Sequence, residues 1–469
     1  MEDKVISLFN VEELGHALEA EIMHPREIVC TGVSTDSRKV VPGDLFLALK
    51  GERFDAHEFL GQAVGRGCRA VVVSKDVSLP EDVVIFRVAD VEKSFGYLAR
   101  KVIEKRRSLG GFMTYGLTGS NGKTTTKELL AALLAAKGHS VLKTEGNNNN
   151  FIGLPMTALK LTTKHDAAVF EMGANAPGEI KYLSDIAEPE YGLITGVGAA
   201  HLGGFGSLEG VARTKGELIH SPRLKKVVLP AYTRQYYEKT LPSTVTVTWV
   251  GEGEPVYVEG IESNVDGTEF VMVWGDEKLP IHLPLLGGHN ASNFAIAATL
   301  VREAGWTAAE LNRAVSGVVL PSGRLERWDA SNRVQFLHDA YNANPSSMGA
   351  ALNLMAEVVE AGRRCLILGD MRELGEASDA LHRSIGRRAA EIGVKCLLCV
   401  GESAKYYREG ALEAGLSDEK IFCTAQDALE PGLKWLSDRF TEGDVCLIKG
   451  SRGVALERVL SYFEATRHV

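Results

Sequence analysis

The stretch that most constrains the fold of this chain runs from residue 112 to residue 138 and reads FMTYGLTGSNGKTTTKELLAALLAAKG. An apolar run of strand length leads into a glycine-rich loop. An apolar run of helix length follows and stops at Gly138, a residue type that commonly ends helices. SVLKT at 140–144 predicts the next strand. These elements predict a βαβ unit with its loop at the carboxyl end of a parallel strand, where open α/β sheets bind ligands.

The glycine-rich loop has the chemistry of a phosphate-binding loop but not its usual spacing. The template G-x-x-x-x-G-K-[ST] requires a glycine at position 117, where this chain has leucine between Gly116 and Gly119. Backbone N–H groups and a helix N-terminus attract an anion. Lys123 can reach the phosphates, and Thr124 can place its hydroxyl on Mg²⁺. The sequence therefore predicts a variant nucleotide site, and the absence of an N-K-x-D motif argues against a switch-type GTPase.

Length and composition narrow the classes of protein that remain. A chain of 469 residues is too long for one core, so several domains are expected. The net charge of −9 argues against a nucleic-acid partner bound through its phosphates. The sequence contains no apolar run of about 18 residues, as a membrane span requires, and no signal-peptide core. Seven scattered cysteines suit a reducing compartment. We therefore expect a cytoplasmic protein without a membrane span.

The order of apolar runs predicts the α/β class with three domains, at residues 1–108, 109–320 and 321–469. The central domain should contain a P-loop and a parallel sheet, with AAVFEM, YGLIT and KKVVLP as further strands. Alternating residues at 243–285 predict antiparallel strands there. The third domain alternates apolar runs with helical stretches and is predicted to be Rossmann-like. Its C-L-L-C motif at 396–399 lies in an apolar run and predicts a buried strand rather than a redox or metal pair.

Several polar residues follow predicted strands on the side of the glycine loop. Glu171 ends AAVFEM and is placed to hold Mg²⁺, which prefers oxygen ligands. His201 follows the next strand and is a candidate second ligand. Lys215, in GVARTKGELI, is predicted by composition to be a surface lysine. Asn290 and Asn293 share one face at a helix start, where they can read an adenine edge or cap the helix.

Two residues of the third block can also reach a nucleotide bound at the loop. Arg324, in PSGRLERW, can extend from one domain toward the γ-phosphate of a nucleotide on another. Asp339, in LHDAYNANPSS, ends a strand at its ligand-binding side and can accept from ribose hydroxyls. The nucleotide is therefore predicted to lie between the second and third domains.

Six motifs in family order resemble the Mur ligases, the ATP-dependent amide-bond-forming enzymes of peptidoglycan synthesis. They are TGSNGKTT at 118–125, EMGAN at 171–175, the histidine at 201, GGHNASN at 287–293, GRLE at 323–326 and HDAYNANPSS at 338–347. The P-loop of that family carries its glycine displaced as it is here. The matches span the chain, so the resemblance implies an N-terminal uridine-nucleotide-binding α/β domain, a central ATP-binding domain and a C-terminal Rossmann-like domain.

Longer motifs resemble one member of that family, the ligase that acts last in the cytoplasm. They are STDSRKVVPGDLFLALKGERFDAHEF at 34–59, KTEGNNNNFIGLP at 143–155, LGDMRELGEASDALH at 368–382 and IKGSRGVALE at 448–457. The resemblance implies a monomer that uses ATP and Mg²⁺ to join D-alanyl-D-alanine to UDP-N-acetylmuramoyl-tripeptide through an acyl phosphate. Another Mur-type or folylpolyglutamate-type ligase would be stimulated by a different amine. A nucleotide-driven switch protein would hydrolyse ATP slowly and form no amide.

The resemblance also assigns roles to individual residues of this sequence. ATP would contact Gly119, Ser120, Asn121, Gly122, Lys123, Thr124, Thr125, Asn290, Asn293, Arg324, Asp339 and Asn342. The uridine nucleotide substrate would contact Ser34, Asp36, Ser37, Arg38, Asn147, Asn149 and Asn150. Thr124, Glu171 and His201 would hold Mg²⁺. Lys123, His201 and Lys215 would be catalytic, Lys215 because it aligns with a lysine that several Mur ligases carbamylate. Arg372, His382 and Arg452 are the cations and donors available to the dipeptide.

Overall fold

The computed structural model describes residues 4–51, 54–198, 205–264, 266–302, 305–331 and 333–467. Within these residues, the strands form three sheets that follow one another along the chain. Each sheet is mostly parallel and is covered by helices, so the predicted three-domain α/β fold is confirmed. None of the described helices is both long enough and apolar enough to cross a membrane.

The N-terminal sheet has the order β1-β5-β4-β3-β2, with β1 antiparallel to its neighbour and the others parallel. Its strands are β1 Glu21–Met23, β2 Gly32–Ser34, β3 Asp44–Leu47, β4 Ala70–Val73 and β5 Val84–Arg87. Its helices are α1 Val11–Leu18, α2 Leu60–Gly65 and α3 Val91–Ser108. Helix α1 begins at a capping box, in which the side chain of Asn10 accepts from the backbone N–H of Glu13.

The central sheet has the order β14-β13-β12-β11-β10-β9-β6-β8-β7. Its strands are β6 Met113–Thr118, β7 Val141–Lys143, β8 Ala167–Glu171, β9 Tyr191–Ile194, β10 Lys226–Pro230, β11 Thr246–Val250, β12 Val256–Asn264, β13 Gly267–Trp274 and β14 Glu277–Leu283. Its helices are α4 Lys123–Ala136, α5 Gly153–Ala158, α6 Glu179–Ala187, α7 Leu208–Gly216, α8 Arg234–Tyr237, α9 Gly288–Val301 and α10 Ala308–Val315. The predicted strand–loop–helix unit is therefore confirmed as β6, the glycine loop and α4.

The antiparallel prediction for residues 243–285 is correct for only part of that range. Strands β12, β13 and β14 pair antiparallel, but β11 lies parallel to both β10 and β12. The prediction for β11 is wrong because alternation indicates that one face of a strand is buried and does not give the direction of its neighbours. Val247 and Trp249 of β11 pack against the core from one face.

The third sheet has the order β19-β18-β17-β20-β16-β15-β21. Its strands are β15 Glu326–Asp329, β16 Gln335–Asp339, β17 Arg364–Gly369, β18 Cys396–Val400, β19 Ile421–Thr424, β20 Val445–Lys449 and β21 Thr466–Arg467. Its helices are α11 Pro345–Val358, α12 Ser378–Glu391, α13 Ala404–Glu413, α14 Leu429–Ser437 and α15 Arg458–Tyr462. Cys396 and Cys399 are fully buried in β18, as predicted.

Short 3₁₀ helices complete the regular structure. They span Val5–Leu8, Ala56–Phe59, Glu217–His220, Ala231–Thr233, Glu238–Thr240, Gly375–Ala377, Asp418–Lys420 and Arg452–Val454.

One hydrophobic core continues from the N-terminal sheet into the central domain. It contains Leu14 and Phe86 of the first region together with Leu154 and Ile180 of the second. Helix α3 joins the two, because Gly96 brings it so close to α6 that an added Cβ would lie 2.5 Å from the Tyr182 hydroxyl. The third sheet lies in two further clusters, one of which also contains Leu286, just before α9. The first two regions therefore share one core, and the third sheet is built around other clusters.

Strand register brings the predicted polar residues to one edge of the central sheet. Strand β6 lies between β8 and β9, with Leu117 opposite Glu171 and Thr118 opposite Ile194. The glycine loop, Glu171 and Thr195 therefore follow neighbouring strands at the same carboxyl edge. In the third sheet, Asp339 pairs with Lys449 across β16 and β20, which places both at the carboxyl edge there.

Candidate active site

Two glycines give the loop before α4 its shape. Gly119 has a φ of 149° and Gly122 a φ of 78°, in the region that favours glycine. A Cβ at Gly119 would lie 2.1 Å from the Thr195 hydroxyl, and one at Gly122 would lie 2.3 Å from Oδ1 of Asn293. The loop therefore lies directly against the neighbouring strand end and against α9, which explains glycine at both positions.

Lys123 is folded over this loop. Its Nζ donates to the carbonyl oxygens of Gly119 at 2.7 Å and Ser120 at 3.3 Å. Burial lowers the pKa of Lys123, the negative charge of Glu171 opposes that shift, and Arg324 adds to it. The ammonium group is thus held among the loop amides, where a phosphate oxygen can replace the carbonyls as its partner.

Glu171, Thr124 and Asn149 form a buried polar group beside the loop. Oε1 of Glu171 accepts from the Thr124 hydroxyl at 3.4 Å and from Nδ2 of Asn149 at 2.9 Å. Oε2 of Glu171 is buried and has no hydrogen-bond partner. The predicted proximity of Glu171 and Thr124 is confirmed, and the amide of Asn149 faces this carboxylate. His201, the other predicted metal ligand, lies outside the described residues.

A cleft of about 220 Å³ joins this loop to the third domain. The residues assigned to ATP line it, apart from Gly119. The lining comprises residues 120–125, His289, Asn290, Asn293, Leu320, Arg324, Leu325, Asp339, Tyr341, Asn342, Asn344, Ser346, Ser347, Ala350, Ala351 and Lys449. The structure therefore brings together, in one cavity, residues that lie more than 300 positions apart in the chain.

Asn290 and Asn293 are buried on the first turns of α9, facing this cleft. Nδ2 of Asn293 donates to Oδ1 of Asn290 at 3.0 Å, and Nδ2 of Asn290 donates to the Leu286 carbonyl at 2.8 Å. The N-cap position is Gly287, and no side chain caps the helix. The alternative that these asparagines cap the helix is therefore wrong.

The third domain contributes a buried ion pair and an aromatic ring. Nζ of Lys449 donates to Oδ2 of Asp339 at 2.6 Å and to the Asn342 carbonyl at 3.2 Å. The Tyr341 ring lies 4.4 Å from Cζ of Arg324 and 5.4 Å from Cζ of Arg452. Lys449 and Tyr341 were not predicted as site residues. Only the strand register and the approach of two distant arginines reveal them.

One hydrogen bond connects the third domain directly to the P-loop. Nδ2 of Asn344 donates to Oδ1 of Asn121 at 2.9 Å. Asn344 is also the N-cap of α11, where its Oδ1 accepts from the backbone of Ser347 at 2.8 Å. Asn-Pro in the sequence could have indicated this helix start, although not its contact with the loop. The third domain therefore contacts the nucleotide-binding edge through this hydrogen bond.

Lys215 is buried, with 2% of its surface exposed, so the prediction of a surface lysine is wrong. Its Nζ donates to the Ala174 carbonyl at 3.4 Å and lies 5.2 Å from the centre of the Phe205 ring. Burial lowers its pKa to about 7, and the charge of Lys123 contributes. Polar neighbours in the sequence suggested exposure, but this face of α7 packs against the segment that follows Glu171.

A second cavity, of about 470 Å³, lies in the N-terminal domain. Its lining comprises Thr35, Asp36, Ser37, Arg38, Phe46, Phe54, Ala56, Phe59 and Gln62. Phe54 stacks on Phe59 with ring centres 4.9 Å apart, and 56% of Phe54 is exposed. The two aromatic residues were not predicted. In the sequence, the only indication of Phe54 and Phe59 is that both lie in the stretch 34–59, which also contains the predicted polar residues.

The residues predicted to contact the uridine nucleotide divide into three groups. Asp36, Ser37 and Arg38 line this second cavity. Ser34 does not, because its hydroxyl is directed to the Asp36 carbonyl at 3.0 Å. Asn147, Asn149 and Asn150 lie in the loop after β7 instead, where Oδ1 of Asn150 accepts from the N–H of Gly153 at the start of α5.

His382 is not a free cation for the dipeptide. It is fully buried, and its Nε2 accepts from the N–H of Met371 at 3.0 Å while its Nδ1 lies 2.7 Å from the Ser378 carbonyl. Burial lowers its pKa, in keeping with a neutral ring. Of the three predicted cations and donors, Arg372 and Arg452 remain. Arg372 lies in the loop that follows β17, and Arg452 begins the 3₁₀ helix that follows β20.

Comparison with known proteins agrees with this architecture in all three regions. Residues 29–107 match the family model "Mur ligase family, catalytic domain", and residues 117–301 match "Mur ligase middle domain". Residues 323–452 match "Mur ligase, glutamate ligase domain".

Curated relatives and solved structures are similar over nearly the whole chain. UDP-N-acetylmuramoyl-tripeptide–D-alanyl-D-alanine ligase of Escherichia coli (strain K12) is 37% identical over 92% of this chain and 94% of its own. The enzyme of that name from Bacillus subtilis (strain 168) is 32% identical over 96% and 97%. MurF from Acinetobacter baumannii superimposes with a TM-score of 0.86 at 31% identity, covering 97% of this chain and 98% of its own. MurF ligase from Thermotoga maritima, solved in complex with ADP, superimposes with a TM-score of 0.80 at 29% identity, covering 93% and 97%. With sequence similarity and architecture in agreement from the N-terminal sheet to the third, the chain belongs to the Mur ligase family.

Proposed function

We propose that this chain is the ATP-dependent ligase that joins D-alanyl-D-alanine to UDP-N-acetylmuramoyl-tripeptide, giving UDP-N-acetylmuramoyl-pentapeptide, ADP and phosphate. The observation that carries the proposal is the cleft in which the P-loop meets Asp339 and Lys449 of the third domain. The choice of substrates is supported by relatives of that name, which are 29–37% identical over at least 91% of this chain.

The first chemical step activates the terminal carboxylate of the tripeptide. A carboxylate oxygen attacks the γ-phosphorus of ATP, the bond to the β–γ bridging oxygen breaks, and ADP leaves. Two anions must approach each other for this to occur. Lys123, the loop N–H groups and Arg324 supply the positive potential that offsets their repulsion. Asn290 and Asn293 are placed to hold the adenine, and Asp339 to accept from the ribose hydroxyls.

The second step forms the amide. The amine of D-alanyl-D-alanine attacks the carbonyl carbon of the acyl phosphate, phosphate leaves with the electrons of the carbon–oxygen bond, and the nitrogen loses a proton. Water would destroy this intermediate, so the site must exclude it. The bond between Asn344 and Asn121 supports a closed third domain during this step.

The group formed by Thr124 and Glu171 fits a magnesium ion. Both supply oxygen atoms, which Mg²⁺ prefers, and Oε1 of Glu171 lies 3.4 Å from the Thr124 hydroxyl beside the loop. Mg²⁺ usually takes one or two protein ligands together with substrate phosphates, so a larger cluster is not required. We propose Thr124, Glu171 and His201 as the residues that hold it. When bound, the ion would reduce the negative charge of the ATP phosphates.

Lys215 has the properties of an amine that can react with carbon dioxide. Its pKa of about 7 leaves much of the amine neutral near pH 7. A neutral amine adds to carbon dioxide and releases one proton, giving a carbamate. The product would place two carboxylate-type oxygens close to Ala174, just beyond Glu171 in the chain. We propose that Lys215 acts in this form.

The remaining cavities and loops complete the proposal. We place the uridine diphosphate against Asp36, Ser37 and Arg38, with Phe54 stacking on the base. We place the carboxylate of the dipeptide at Arg372 or Arg452.

The division at residues 1–108, 109–320 and 321–469 is supported by the three sheets. In keeping with the resemblance to the Mur ligases, we propose a monomer. Its seven free cysteines support a cytoplasmic location.

The decisive experiment supplies the purified protein with ATP, Mg²⁺ and UDP-N-acetylmuramoyl-tripeptide, and offers a panel of amines. We expect phosphate release and a pentapeptide mass with D-alanyl-D-alanine and little product with D-alanine. Equal turnover with a single amino acid would overturn the choice of amine. Phosphate release that no amine stimulates would overturn the ligase assignment.

A further inference from the structure

Lys127 is a fully buried lysine that the proposed mechanism does not use. It lies on α4 one turn after Lys123, and none of its side chain is exposed. Residues four apart share a helix face, but Lys123 turns to the glycine loop whereas Lys127 turns to the end of β8. A buried ammonium group is unfavourable unless carboxylates compensate it, so its neighbours indicate its role.

Two buried carboxylates flank the Lys127 ammonium. Its Nζ lies 3.2 Å from Oε1 of Glu128 and 3.7 Å from Oε2 of Glu171. Glu128 is also paired with Lys143, at the edge of the cluster. Without a cation between them, Glu128 and Glu171 would repel each other in surroundings of low dielectric. Lys127 therefore lies where its charge relieves the repulsion between these two carboxylates.

The two oxygens of Glu171 face different partners. Oε1 is directed to Thr124 and Asn149, on the nucleotide side. Oε2 is directed to Lys127, at a separation too long for a hydrogen bond, and both atoms lack any hydrogen-bond partner. This is an ion pair that orients the carboxylate without occupying the oxygen that faces the loop.

We propose that Lys127 is a positioning residue that holds Glu171 with Oε1 presented at the P-loop, ready for the metal ion of the bound nucleotide. The proposal rests on the metal role given above to Glu171. It predicts both the direction and the size of the change in Mg²⁺ binding when Lys127 is removed. A cation that acted only through its charge would repel Mg²⁺, so its removal would tighten metal binding. A cation that positions the ligand weakens metal binding when it is removed.

The test measures ADP binding by titration calorimetry, with a range of Mg²⁺ concentrations and with chelator, so that turnover is not required. In Lys127→Met, we expect ADP affinity without metal within about twofold of the wild-type value. The Mg²⁺ concentration that half-restores tight binding should rise about tenfold, as when outer partners of a metal ligand are removed. Unchanged or tighter Mg²⁺ dependence would overturn the proposal.

Lys143→Met is the matched control, because it removes one positive charge from the same cluster at a residue paired with Glu128. We expect its Mg²⁺ dependence to match that of the wild type. If Lys127→Met folds poorly, Lys127→Met/Glu128→Gln restores the charge balance and should retain the metal defect. A double variant with normal Mg²⁺ dependence would refute the positioning role.

Glu171→Gln distinguishes the positioning role of Lys127 from the metal-binding role of Glu171, on which it rests. If Glu171→Gln binds ADP with normal Mg²⁺ dependence, the metal assignment itself fails. If Glu171→Gln is defective and Lys127→Met is normal, only the role of Lys127 fails. If both roles are correct, adding Lys127→Met to Glu171→Gln should not weaken the Mg²⁺ dependence of ADP binding further, because Lys127 acts through the Glu171 carboxylate.

Discussion

Two lysines of the central domain, the half-buried Lys123 and the buried Lys215, differ in how the sequence encodes their surroundings. Lys123 belongs to GSNGKTT, a contiguous pattern whose neighbours in the chain are its neighbours in space. Lys215 belongs to GVARTKGELI, and its surroundings come from Ala174 and Phe205. Burial lowers the pKa of both, but Glu171 opposes the shift at Lys123, whereas the charge of Lys123 increases it at Lys215. The first lysine is suited to remain a cation and the second to become a free amine.

The largest effect should come from the cation of this pair. Lys123→Ala removes the ammonium that meets the phosphates, and we expect ligation to fall by about 10³-fold, the scale for a lost transition-state donor. Pentapeptide formation measures the effect, with circular dichroism and thermal unfolding as checks on the fold. Activity within about tenfold of wild type would break the comparison, because Lys123 would then do no phosphate chemistry.

Loss of the Lys215 amine should reduce turnover somewhat less, and added small carboxylates should partly restore it. Lys215→Ala should lose about 10²-fold in turnover, as for a lost metal-supporting group, and added acetate or formate should restore part of it. Lys215→Arg keeps a charge but cannot form the carbamate, so short carboxylates should not rescue it. If Lys215→Ala is fully active, the residue returns to a structural role.

The same lysine should leave a signature in the pH dependence of stability. The unfolded chain keeps its proton up to a pKa near the ordinary value of 10.5, and the folded chain releases it near 7. Between these values the unfolded state binds more protons, so the free energy of unfolding rises with pH. Lys215→Met should reduce that rise between pH 7 and pH 9.5, as measured by urea unfolding. Parallel curves for the two proteins would contradict the lowered pKa.

A smaller effect is expected at Glu171, the carboxylate whose charge opposes the lowering of the Lys123 pKa. Glu171→Gln should raise the Mg²⁺ concentration needed for half-maximal ligation about tenfold or more, and His201→Ala should do likewise. Because the amide keeps the size of the side chain, the change isolates the charge. Magnesium titrations that coincide with wild type for both variants would show that neither residue holds the ion.

The smallest effect concerns the hydrogen bond from Asn344 to Asn121, beside Lys123 in the cleft. Asn344→Ser retains a side chain that can cap α11 but cannot reach Asn121. Loss of one hydrogen bond, about 1 kcal/mol, should lower kcat/KM roughly fivefold. Asn344→Ala, which also loses the cap, should be less stable to heat. If Asn344→Ser retains wild-type kcat/KM, the contact with the loop does not contribute to closure.

The sequence predictions succeeded where a feature depends on neighbouring residues in the chain, and failed where it depends on contacts with distant residues. Apolar runs located the strands, and the glycine loop located the nucleotide edge, because both are local. The direction of β11 and the burial of Lys215 depend on what packs against them, which local polarity does not record. Lys127 resembles any helix lysine until the register of β8 places Glu171 beside it. Asn344 and Asn121 meet across 223 positions of chain, a contact that a single sequence does not reveal.

The hydrophobic core shared by the N-terminal and central regions fixes the distance between the Phe54 cavity and the P-loop. A substrate anchored by its uridine at one end must span that distance before its carboxylate meets ATP. In the proposed complex these two regions would act as a ruler, because a shorter or longer peptide arm would place its carboxylate away from the γ-phosphorus. Selectivity for the length of the peptide arm would then arise in part from helix α3 and the packing around it.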